Sequence, residues 1–377
     1  LRRRLSERYV VVALWSARSP SSYIPASAFW KEKVCLGDEP ESEIIVPKNE
    51  VHRFVKDAFL SIGAPPVNAD RMAVSIMEAD YRGQFGHGLN RLGLYFNDVK
   101  KRILDIAATP VILKESPVTA WVDGKNGPGA VVGIFCMELA IRKAKEFGIG
   151  WVVVKMAYQS KSSFLRQPLN GAIGTNPLSF SAPGLHGDGL VVDIATSGVA
   201  KGKIEFNMKQ GKDIPVGWAI NSEGKDLTNA EEAYVKGILM PLGGKELGHK
   251  GYGLSLMVEA LCGILADASF GPNIRIWQLA NEKVANLGQC YACINPEFFA
   301  PGFQDRMSNL MDFLRAMEPA DANKPVQIPG DWERANVCKH EKLGGIAYKS
   351  GLLQWAVKRE LWTQAPPKSR NSENAKN

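Results

Sequence analysis

Apolar residues in the first third of the chain recur at the spacing of helices. Three such sets follow one another, and each predicts a helix with one buried face. The sets are Val51, Phe54, Val55, Phe59 and Ile62, then Met72, Ile76 and Ala79, and finally Leu94 and Val99 up to about Leu104. Gly63 is expected to end the first helix and Asn68 to cap the second. Ordered structure is therefore predicted to begin near Ile44 with a helical region.

The pattern changes in the middle of the chain to strand, glycine-rich turn, helix and strand. Val118–Asp123 and Trp151–Lys155 are the two predicted strands, and the helix between them follows Gly127-Pro-Gly129. The spacing Gly127-x-Gly129-x-x-x-Gly133 is close to the Rossmann dinucleotide fingerprint but not equal to it. Lys155 also stands where that fold places a ribose-binding acid. From the residues alone, a dinucleotide-binding unit and an ordinary helix packed on a sheet both remain open.

Glycine-rich and polar segments separate the later elements. Residues 174–177 (Gly-Thr-Asn-Pro) are predicted to form a turn, and Leu190–Ala195 a strand with Asp193 near its end. Pro241–Gly253 is a glycine-rich approach to a helix. Glycines before a helix N-terminus let backbone N–H groups approach an anion, and Lys250 adds positive charge; a flexible connector explains the composition equally well. The apolar positions expected to face the core from that helix are Leu254, Met257, Val258, Leu261 and Leu265.

One polar stretch, Asp80–Arg91, joins the second predicted helix to the third. It places His87 four residues before Arg91, which on a helix puts both side chains on one face. An imidazole exchanges protons near neutral pH, and a guanidinium can bind a carboxylate through two parallel hydrogen bonds. The pair would suit a 2-hydroxy or 2-keto acid, although a solvated polar helix face gives the same pattern.

The composition indicates a globular protein with room for two domains. The chain has 377 residues, of which 45% are hydrophobic and 23% charged. The net charge of +7 is concentrated at the ends, with +3 in residues 1–40, +3 in residues 358–377 and +1 between them. A nucleic-acid partner is therefore not expected, because no basic stripe crosses the central part. No apolar run has the length of a membrane span, so no membrane partner is expected either.

Six cysteines are scattered along the chain, and only Cys290 and Cys293 form a C-x-x-C pair. Their surroundings are typical of a strand, where positions three apart point to opposite faces. No second pair lies nearby to complete a zinc site. Buried free thiols in a reducing compartment are expected, and no metal site is expected.

The two ends differ from the rest of the chain. Residues 1–43 begin with several arginines and serines, which suits either an organelle transit peptide or stray upstream sequence, and they are expected to be disordered. Residues 358–377 are rich in Pro, Ser and Asn and are also expected to be disordered. A cytoplasmic location is expected, with a mitochondrial one as the alternative if the start is a genuine transit peptide.

Five motifs follow one another in a characteristic order. They are Ala79-Asp-Tyr-Arg-Gly83 with His87-Gly-Leu-Asn-Arg91, Asn126-Gly-Pro-Gly-Ala130, Gly174-Thr-Asn-Pro-Leu-Ser179, Asp193 with Thr196-Ser197 and Ala200-Lys-Gly-Lys203, and His249-Lys-Gly-Tyr-Gly-Leu254. In this order they resemble the motifs of the malate/L-lactate dehydrogenase family, whose members lack a Rossmann fold. Relatives of this family include ureidoglycolate, sulfolactate and diketogulonate oxidoreductases. The resemblance runs from about Glu41 to Gly351.

The resemblance implies an α/β (α+β) fold with a non-Rossmann, nicotinamide-binding central sheet domain and a helical domain formed from both chain ends. The expected bounds are 116–300 for the central domain, and 44–115 with 301–357 for the helical domain. It also implies a homodimer, NAD as cofactor with NADP as the alternative, and malate and oxaloacetate as the favoured pair among small 2-hydroxy and 2-keto acids. The Gly127–Gly133 run would then not be a phosphate loop.

The resemblance also implies roles for individual residues. His87 is expected to be the catalytic acid/base and Arg91 the ligand of the substrate carboxylate. Lys203 completes the catalytic candidates; it occupies a position where imine-reducing relatives carry an acid, which favours the malate or lactate branch. The expected cofactor-binding residues are Thr175, Asp193, Ala195, His249, Lys250 and Gly330.

Two departures from the family pattern stand against full activity. Gly86 occupies the position where relatives usually carry a serine that can orient the imidazole. Residues 157–170 replace a longer segment that in relatives holds cofactor contacts and a central strand. A sheet that loses a strand exposes backbone groups unless something refills the place. The alternative interpretation is therefore a catalytically impaired or inactive family member, produced by a skipped exon or a faulty gene model.

Overall fold

The computed structural model describes residues 8–15, 43–158, 164–165, 173–274, 284–349 and 353. The chain divides into two compact units. The sheet unit takes Leu1–Ala26 and Ala108–Gly330, and the helical unit takes Ser27–Ala107 and Asp331–Asn377. One unit is helical and assembled from two separate parts of the chain, and the other is mixed α/β, which confirms the predicted fold class.

The strands of the described residues form four sheets, of which the largest has the order β3-β4-β5-β13-β1-β8-β9. In chain order the strands are β1 (Val10–Trp15), β2 (Glu43–Val46), β3 (Val111–Glu115), β4 (Thr119–Pro128), β5 (Ile149–Tyr158), β6 (Phe164–Leu165), β7 (Ile173–Gly174), β8 (Leu178–Pro183), β9 (Gly189–Ile194), β10 (Ala219–Ile220), β11 (Asp226–Leu227), β12 (Ile238–Leu239), β13 (Leu287–Ile294) and β14 (Ile346–Lys349).

Nine α-helices lie within the described residues. They are α1 (Lys48–Ser61), α2 (Pro66–Tyr81), α3 (Leu92–Lys100), α4 (Gly129–Phe147), α5 (Lys201–Lys209), α6 (Ala230–Lys236), α7 (Gly244–Val258), α8 (Phe303–Arg315) and α9 (Asp331–Leu343). A π-helical segment, Glu259–Ile264, continues α7.

The predicted strand–helix–strand unit is β4–α4–β5, and its two strands are parallel. Every other neighbouring pair in the seven-stranded sheet is antiparallel, so this is not a doubly wound Rossmann sheet. Gly129 and Gly133 lie in the first turn and a half of α4, where a Cβ would meet the carbonyl of Tyr158 and the hydroxyl of Tyr291. These glycines therefore serve close packing of the helix on the sheet.

Both faces of the large sheet are covered. One face packs against α4 and the other against the end of α7 and the π-helical segment. Cys293 lies in the first cluster and Cys290 in the second, which confirms that the C-x-x-C pair points to opposite faces. Both are buried free thiols, and burial raises the pKa of each to about 12. The described residues contain no group of three or more His, Cys, Asp or Glu able to hold a metal ion.

The start of the chain was expected to lack order, and the structure corrects this for Val10–Trp15. These six residues form β1 in the middle of the large sheet, between β13 and β8. A run of four apolar residues, Val10–Ala13, followed by Leu14 suits a strand covered on both faces. The other predictions for residues 1–43 and 358–377 lie outside the described residues.

The boundary of the sheet unit also differs from the expected one. Helix α8 was assigned to the helical domain, but it packs in the sheet unit beside the β8–β9 hairpin. Arg315 of α8 pairs with Asp188 at 2.7 Å, and the hydroxyl of Ser308 accepts the Leu185 N–H at 2.8 Å. Sequence spacing alone could not assign the helix, because these partners lie more than 100 residues away.

The helical unit contains α1, α2, α3 and α9, with β2 paired to β14. Helix α1 ends at Ser61, and Gly63 follows it with a φ of +89°, as predicted. Asn68 does not cap α2, which begins at Pro66; the buried Asn68 amide instead donates to the carbonyl of Ile106 at 3.0 Å. No helix among the described residues is both long and apolar enough to cross a membrane.

Candidate active site

The stretch Asp80–Arg91 forms two short 3₁₀ turns, Phe85–His87 and Leu89–Arg91, and not the start of an α-helix. Gly88 separates the turns with φ −97° and ψ −138°, which is not a helical conformation. The prediction that His87 and Arg91 share one face of a helix is therefore wrong. Glycine at 86 and 88 disfavours a continuous helix here.

The side chain of Arg91 nevertheless contacts the turn that bears His87. Its Nε donates to the carbonyl of Gly86 at 2.7 Å. This places the guanidinium against the residue that precedes His87, with the Arg91 side chain half-buried and His87 exposed. The contact ties the Arg91 side chain to the backbone of the turn that bears His87.

A buried carboxyl group stabilises the same segment through hydrogen bonds. Asp80, in the last turn of α2, is fully buried, and its Oδ2 accepts the Leu89 N–H at 2.9 Å and the Tyr348 hydroxyl at 2.8 Å. Burial raises the pKa of Asp80 to about 7, against the opposing effect of these two hydrogen bonds. Its Oδ1 has no hydrogen-bond partner among the described residues. Asp80 thus fixes the backbone between His87 and Arg91.

Aromatic rings pack around this carboxylate. Phe85 contacts Tyr348 edge to face, with ring centroids 5.9 Å apart, and contacts His340 in the same way at 6.3 Å. His340 stacks on Tyr81 at 5.7 Å, and its Nδ1 lies 2.9 Å from the Tyr81 carbonyl. The turn that ends at His87 is therefore anchored by residues from the last helix and strand of the unit.

Sequence reasoning assigned no role to Asp80, Tyr348 or His340. A signal for Asp80 was present, because it follows Met72 and Ile76 at intervals of four and so continues the apolar face of α2. An acid on a buried helix face needs hydrogen-bond partners. No local signal pointed to Tyr348, which lies 268 residues further along the chain.

Several predicted cofactor-binding residues are gathered in the sheet unit by backbone hydrogen bonds. The Thr175 carbonyl accepts from both the N–H and the hydroxyl of Thr196, each at 2.8 Å. Thr196 in turn accepts the Leu242 N–H at 2.9 Å, and Leu242 accepts the Gly251 N–H at 3.2 Å. The segments that contain Thr175, Ala195 and Lys250 are therefore neighbours, although they are far apart in sequence.

Asp193 and Gly330 belong to a second part of this group. Asp193 lies exposed on β9, and the N–H of Val191 on the same strand donates to the Pro329 carbonyl at 3.1 Å. Gly330 follows with φ of +103°, a conformation that favours glycine. The structure thus places the segment of Gly330 beside the strand that bears Asp193.

The glycine-rich pattern predicted that His249 and Lys250 precede a helix, and the structure corrects this prediction. Helix α7 already begins at Gly244, and both side chains are exposed in its second turn. Residue 251 lies inside the helix, and glycine is needed there because a Cβ would meet the backbone of Leu242. Of the five apolar positions expected to face the core, only Val258 is buried, while Met257 and Leu265 are more than half exposed.

Lys203 and its neighbour Lys201 differ sharply in environment. Lys203 is exposed on α5, whereas Lys201 is buried, with its Nζ 4.9 Å from the centre of the Tyr234 ring. Burial lowers the pKa of Lys201 to about 8, against a smaller opposing effect from Glu205. Sequence reasoning selected Lys203 and missed Lys201, since lysine gives no local sign of burial.

A buried polar network supports the loop before β8. The Asn176 amide donates to Glu259 at 2.7 Å and to the hydroxyl of Ser255 at 3.0 Å. Glu259 also accepts the Gly271 N–H at 2.9 Å, and burial raises its pKa. The loop that contains Thr175 is therefore fixed to α7 and its π-helical extension.

Comparison with known proteins shows the family of this chain. The sequence profile described as malate/L-lactate dehydrogenase matches residues 46–162 and 169–355. The chain belongs to the malate/L-lactate dehydrogenase family. Members of the family are oxidoreductases that act on hydroxy acids, so this protein is a dehydrogenase of small hydroxy or keto acids that uses a nicotinamide cofactor.

Curated relatives cover most of the chain and most of their own length. The malate dehydrogenase of Pyrococcus abyssi is 35% identical over 341 residues, which span 83% of this chain and 93% of that protein. The L-sulfolactate dehydrogenase of Methanocaldococcus jannaschii is 32% identical over 324 residues, with 79% and 91% coverage. The family therefore includes relatives named for different hydroxy acids.

The fold agrees with that of solved family members. The crystal structure of malate dehydrogenase from Entamoeba histolytica superposes with a TM-score of 0.78 at 26% identity. The match covers 85% of this chain and 98% of that one. The two-unit fold derived above is therefore the fold of this dehydrogenase family.

Proposed function

We propose that this chain is an NAD-dependent 2-hydroxyacid dehydrogenase whose substrate pair is malate and oxaloacetate. The proposal rests on one observation above others, the 2.7 Å hydrogen bond from Arg91 Nε to the carbonyl of Gly86, which brings a guanidinium to the turn of an exposed histidine. Oxidation of a 2-hydroxy acid needs a group that binds the substrate carboxylate, here a guanidinium, close to a group that accepts a proton. The relatives named as malate dehydrogenases favour malate within that class.

His87 would take the proton from the substrate hydroxyl and return it in the reverse reaction. Its side chain is exposed, so the imidazole can reach a bound acid. Arg91 would bind the C1 carboxylate and fix the orientation of C2. Asp80 keeps the intervening backbone in place through Leu89, which limits how far the two groups can move apart.

The donor set in the sheet unit fits a dinucleotide. His249 and Lys250 are exposed on one turn of α7 and would bind phosphate oxygens, and the carboxylate of Asp193 would accept hydrogen bonds from ribose hydroxyls. A carboxylate there would also repel the additional phosphate of NADP, which favours NAD. Thr175, Ala195 and Gly330 would contribute backbone contacts, and Lys203, exposed on α5, would be a further catalytic candidate. When bound, the nicotinamide would accept the hydride from C2 of the hydroxy acid.

Replacing His87 tests the proposed chemistry. His87→Ala should lower kcat for malate-dependent NADH formation by about 10²–10⁴-fold, because a positioned acid/base is lost. The exposed His186 in the sheet unit offers a matched control, and His186→Asn should leave the rate unchanged, since Asn tolerates its φ of +56°. Absorbance at 340 nm measures both. Equal rates for His87→Ala and the unmodified chain would remove His87 from the mechanism.

A second function is a cofactor-binding family member with little turnover. Gly86 favours it, because glycine carries no hydroxyl that could orient the imidazole of His87. A fluorescence titration with NADH separates the two functions. Binding without malate oxidation by the folded chain would support this second function.

We also propose that the chain forms a homodimer. Helix α7 and its extension expose several large apolar side chains, which a partner subunit could cover. They are Leu247, Leu256, Met257, Ile264 and Leu265, each between 43% and 58% exposed.

The buried free thiols are compatible with a reducing compartment such as the cytoplasm.

A further inference from the structure

Strand β1 occupies the centre of the large sheet and pairs on both sides. Six residue pairs join it to β13, from Val10 with Ile294 to Trp15 with Gln289. Four pairs join it to β8, from Val11 with Ser181 to Leu14 with Leu178. Both partners run antiparallel to β1.

The side chains of β1 are also packed on both faces. Val11 and Ala13 contact the cluster beneath α4, and Val12 and Leu14 contact the cluster on the opposite face. Leu14 is only 8% exposed. This alternation is that of an integral central strand and not of a loosely added edge.

The order of the strands gives β1 a connecting role. Among the described strands, β8 pairs only with β1 and β9, and β9 pairs only with β8. The β8–β9 hairpin is therefore joined to the ladder of β3, β4, β5 and β13 through β1 alone. Without β1, both β8 and β13 would present unpaired backbone groups.

This hairpin bears much of the proposed cofactor site. Thr175 lies three residues before β8, Asp193 is on β9, and Ala195 follows it directly. The positions of Asp193 and Ala195 relative to the rest of the sheet therefore depend on the register between β8 and β1. Thr175 has a second anchor, the hydrogen bonds from Asn176 to Ser255 and Glu259.

We propose that Val10–Trp15 is a positioning element of the cofactor site, which holds the β8–β9 hairpin in register with the sheet. It supplies an interior strand of the sheet, between β13 and β8. The inference rests on the proposed cofactor role of Thr175, Asp193 and Ala195. It predicts that cofactor affinity and the docking of β1 are thermodynamically linked.

A proline in β1 tests the inference. Val12→Pro removes a ladder hydrogen bond from a central strand, whereas Val12→Ile keeps the N–H group and the apolar side chain. We expect amide hydrogen exchange in β8 and β9 to rise at least about tenfold in Val12→Pro and to stay unchanged in β4. The Kd for NADH should rise by about tenfold or more, with Val12→Ile close to the unmodified chain. Unchanged exchange in β8–β9 together with an unchanged Kd would overturn the inference.

A second measurement on the intact chain keeps the test decisive if Val12→Pro unfolds the whole sheet unit. NADH at about 100 times its Kd should slow amide exchange in β1 by up to about 100-fold, together with β8 and β9. Strand β3, at the far edge of the sheet, serves as the internal control. Slower exchange in β8–β9 without any slowing in β1 would overturn the inference. Absence of any NADH effect would instead contradict the proposed cofactor site itself.

Discussion

Two glycines flank His87, and the structure gives them opposite roles. At Gly88 a Cβ would overlap the buried carboxyl of Asp80, so only glycine lets that carboxyl reach the Leu89 N–H. At Gly86 no described residue other than its chain neighbours comes within 4 Å of the same point. Gly88 is therefore a packing requirement of the turn, whereas Gly86 is a position where a side chain can be added.

Gly86→Ser should raise activity. The serine side chain has room, and its hydroxyl would lie next to the imidazole, where the family resemblance places an orienting serine. We expect kcat for malate oxidation to rise several-fold, on the order of one added hydrogen bond of about 1 kcal/mol. Gly86→Ala controls for the loss of backbone freedom. A serine variant no faster than the alanine variant would show that the imidazole does not need this hydroxyl.

Gly88→Ala should destabilise the helical unit. The methyl group forces the Asp80 carboxyl away from Leu89 and Tyr348, which breaks two hydrogen bonds and strains the packing. The expected loss in the free energy of unfolding is about 2–5 kcal/mol. Urea unfolding measures it, with Gly86→Ala as the matched substitution expected to cost little. Equal stabilities of the two alanine variants would show that Asp80 is not held as the structure indicates.

At the scale of elements, α2 and β14 are joined to the 3₁₀ turns through one titrating group. The pKa of Asp80 is raised by burial from 3.8 to about 7. Between these values the folded chain keeps a proton that the unfolded chain has released. The contribution of Asp80 to stability therefore falls as the pH rises from about 4 to 7, by up to about 4 kcal/mol.

Asp80→Asn should remove this pH dependence. The neutral amide oxygen can still accept from Leu89 and Tyr348, but it cannot ionise. We expect the free energy of unfolding of the variant to change less between pH 5 and pH 8 than that of the unmodified chain. Urea midpoints at several pH values provide the comparison. Parallel pH profiles would indicate that Asp80 does not titrate in this range.

Sequence patterns predicted most elements but not their special contacts. The strand–helix–strand unit and the first helices follow from apolar spacing, because their buried faces repeat locally. The pattern failed at α7, where glycines at 248 and 251 serve close approach to Pro241 and Leu242 and do not precede the helix. It also failed at His87–Arg91, because glycines interrupt the helix and a side chain–backbone bond replaces helical spacing.

At the scale of the whole molecule, the large sheet joins the start of the chain to its middle. An apolar run at residues 10–14 could be recognised from the sequence, but its partners β13 and β8 lie well over 150 residues away. No local periodicity specifies such pairing. The family resemblance predicted the helical unit from both chain ends, while the central place of β1 came only from the structure.

We propose that this chain moves a hydride from C2 of a hydroxy acid to NAD while His87 takes the hydroxyl proton. The most direct test supplies malate deuterated at C2 together with NAD and measures the mass of the reduced cofactor. We expect singly deuterated NADH from the intact chain, formed at least about 100-fold more slowly by His87→Ala. Unlabelled NADH, or equal rates of labelled NADH from both proteins, would contradict it.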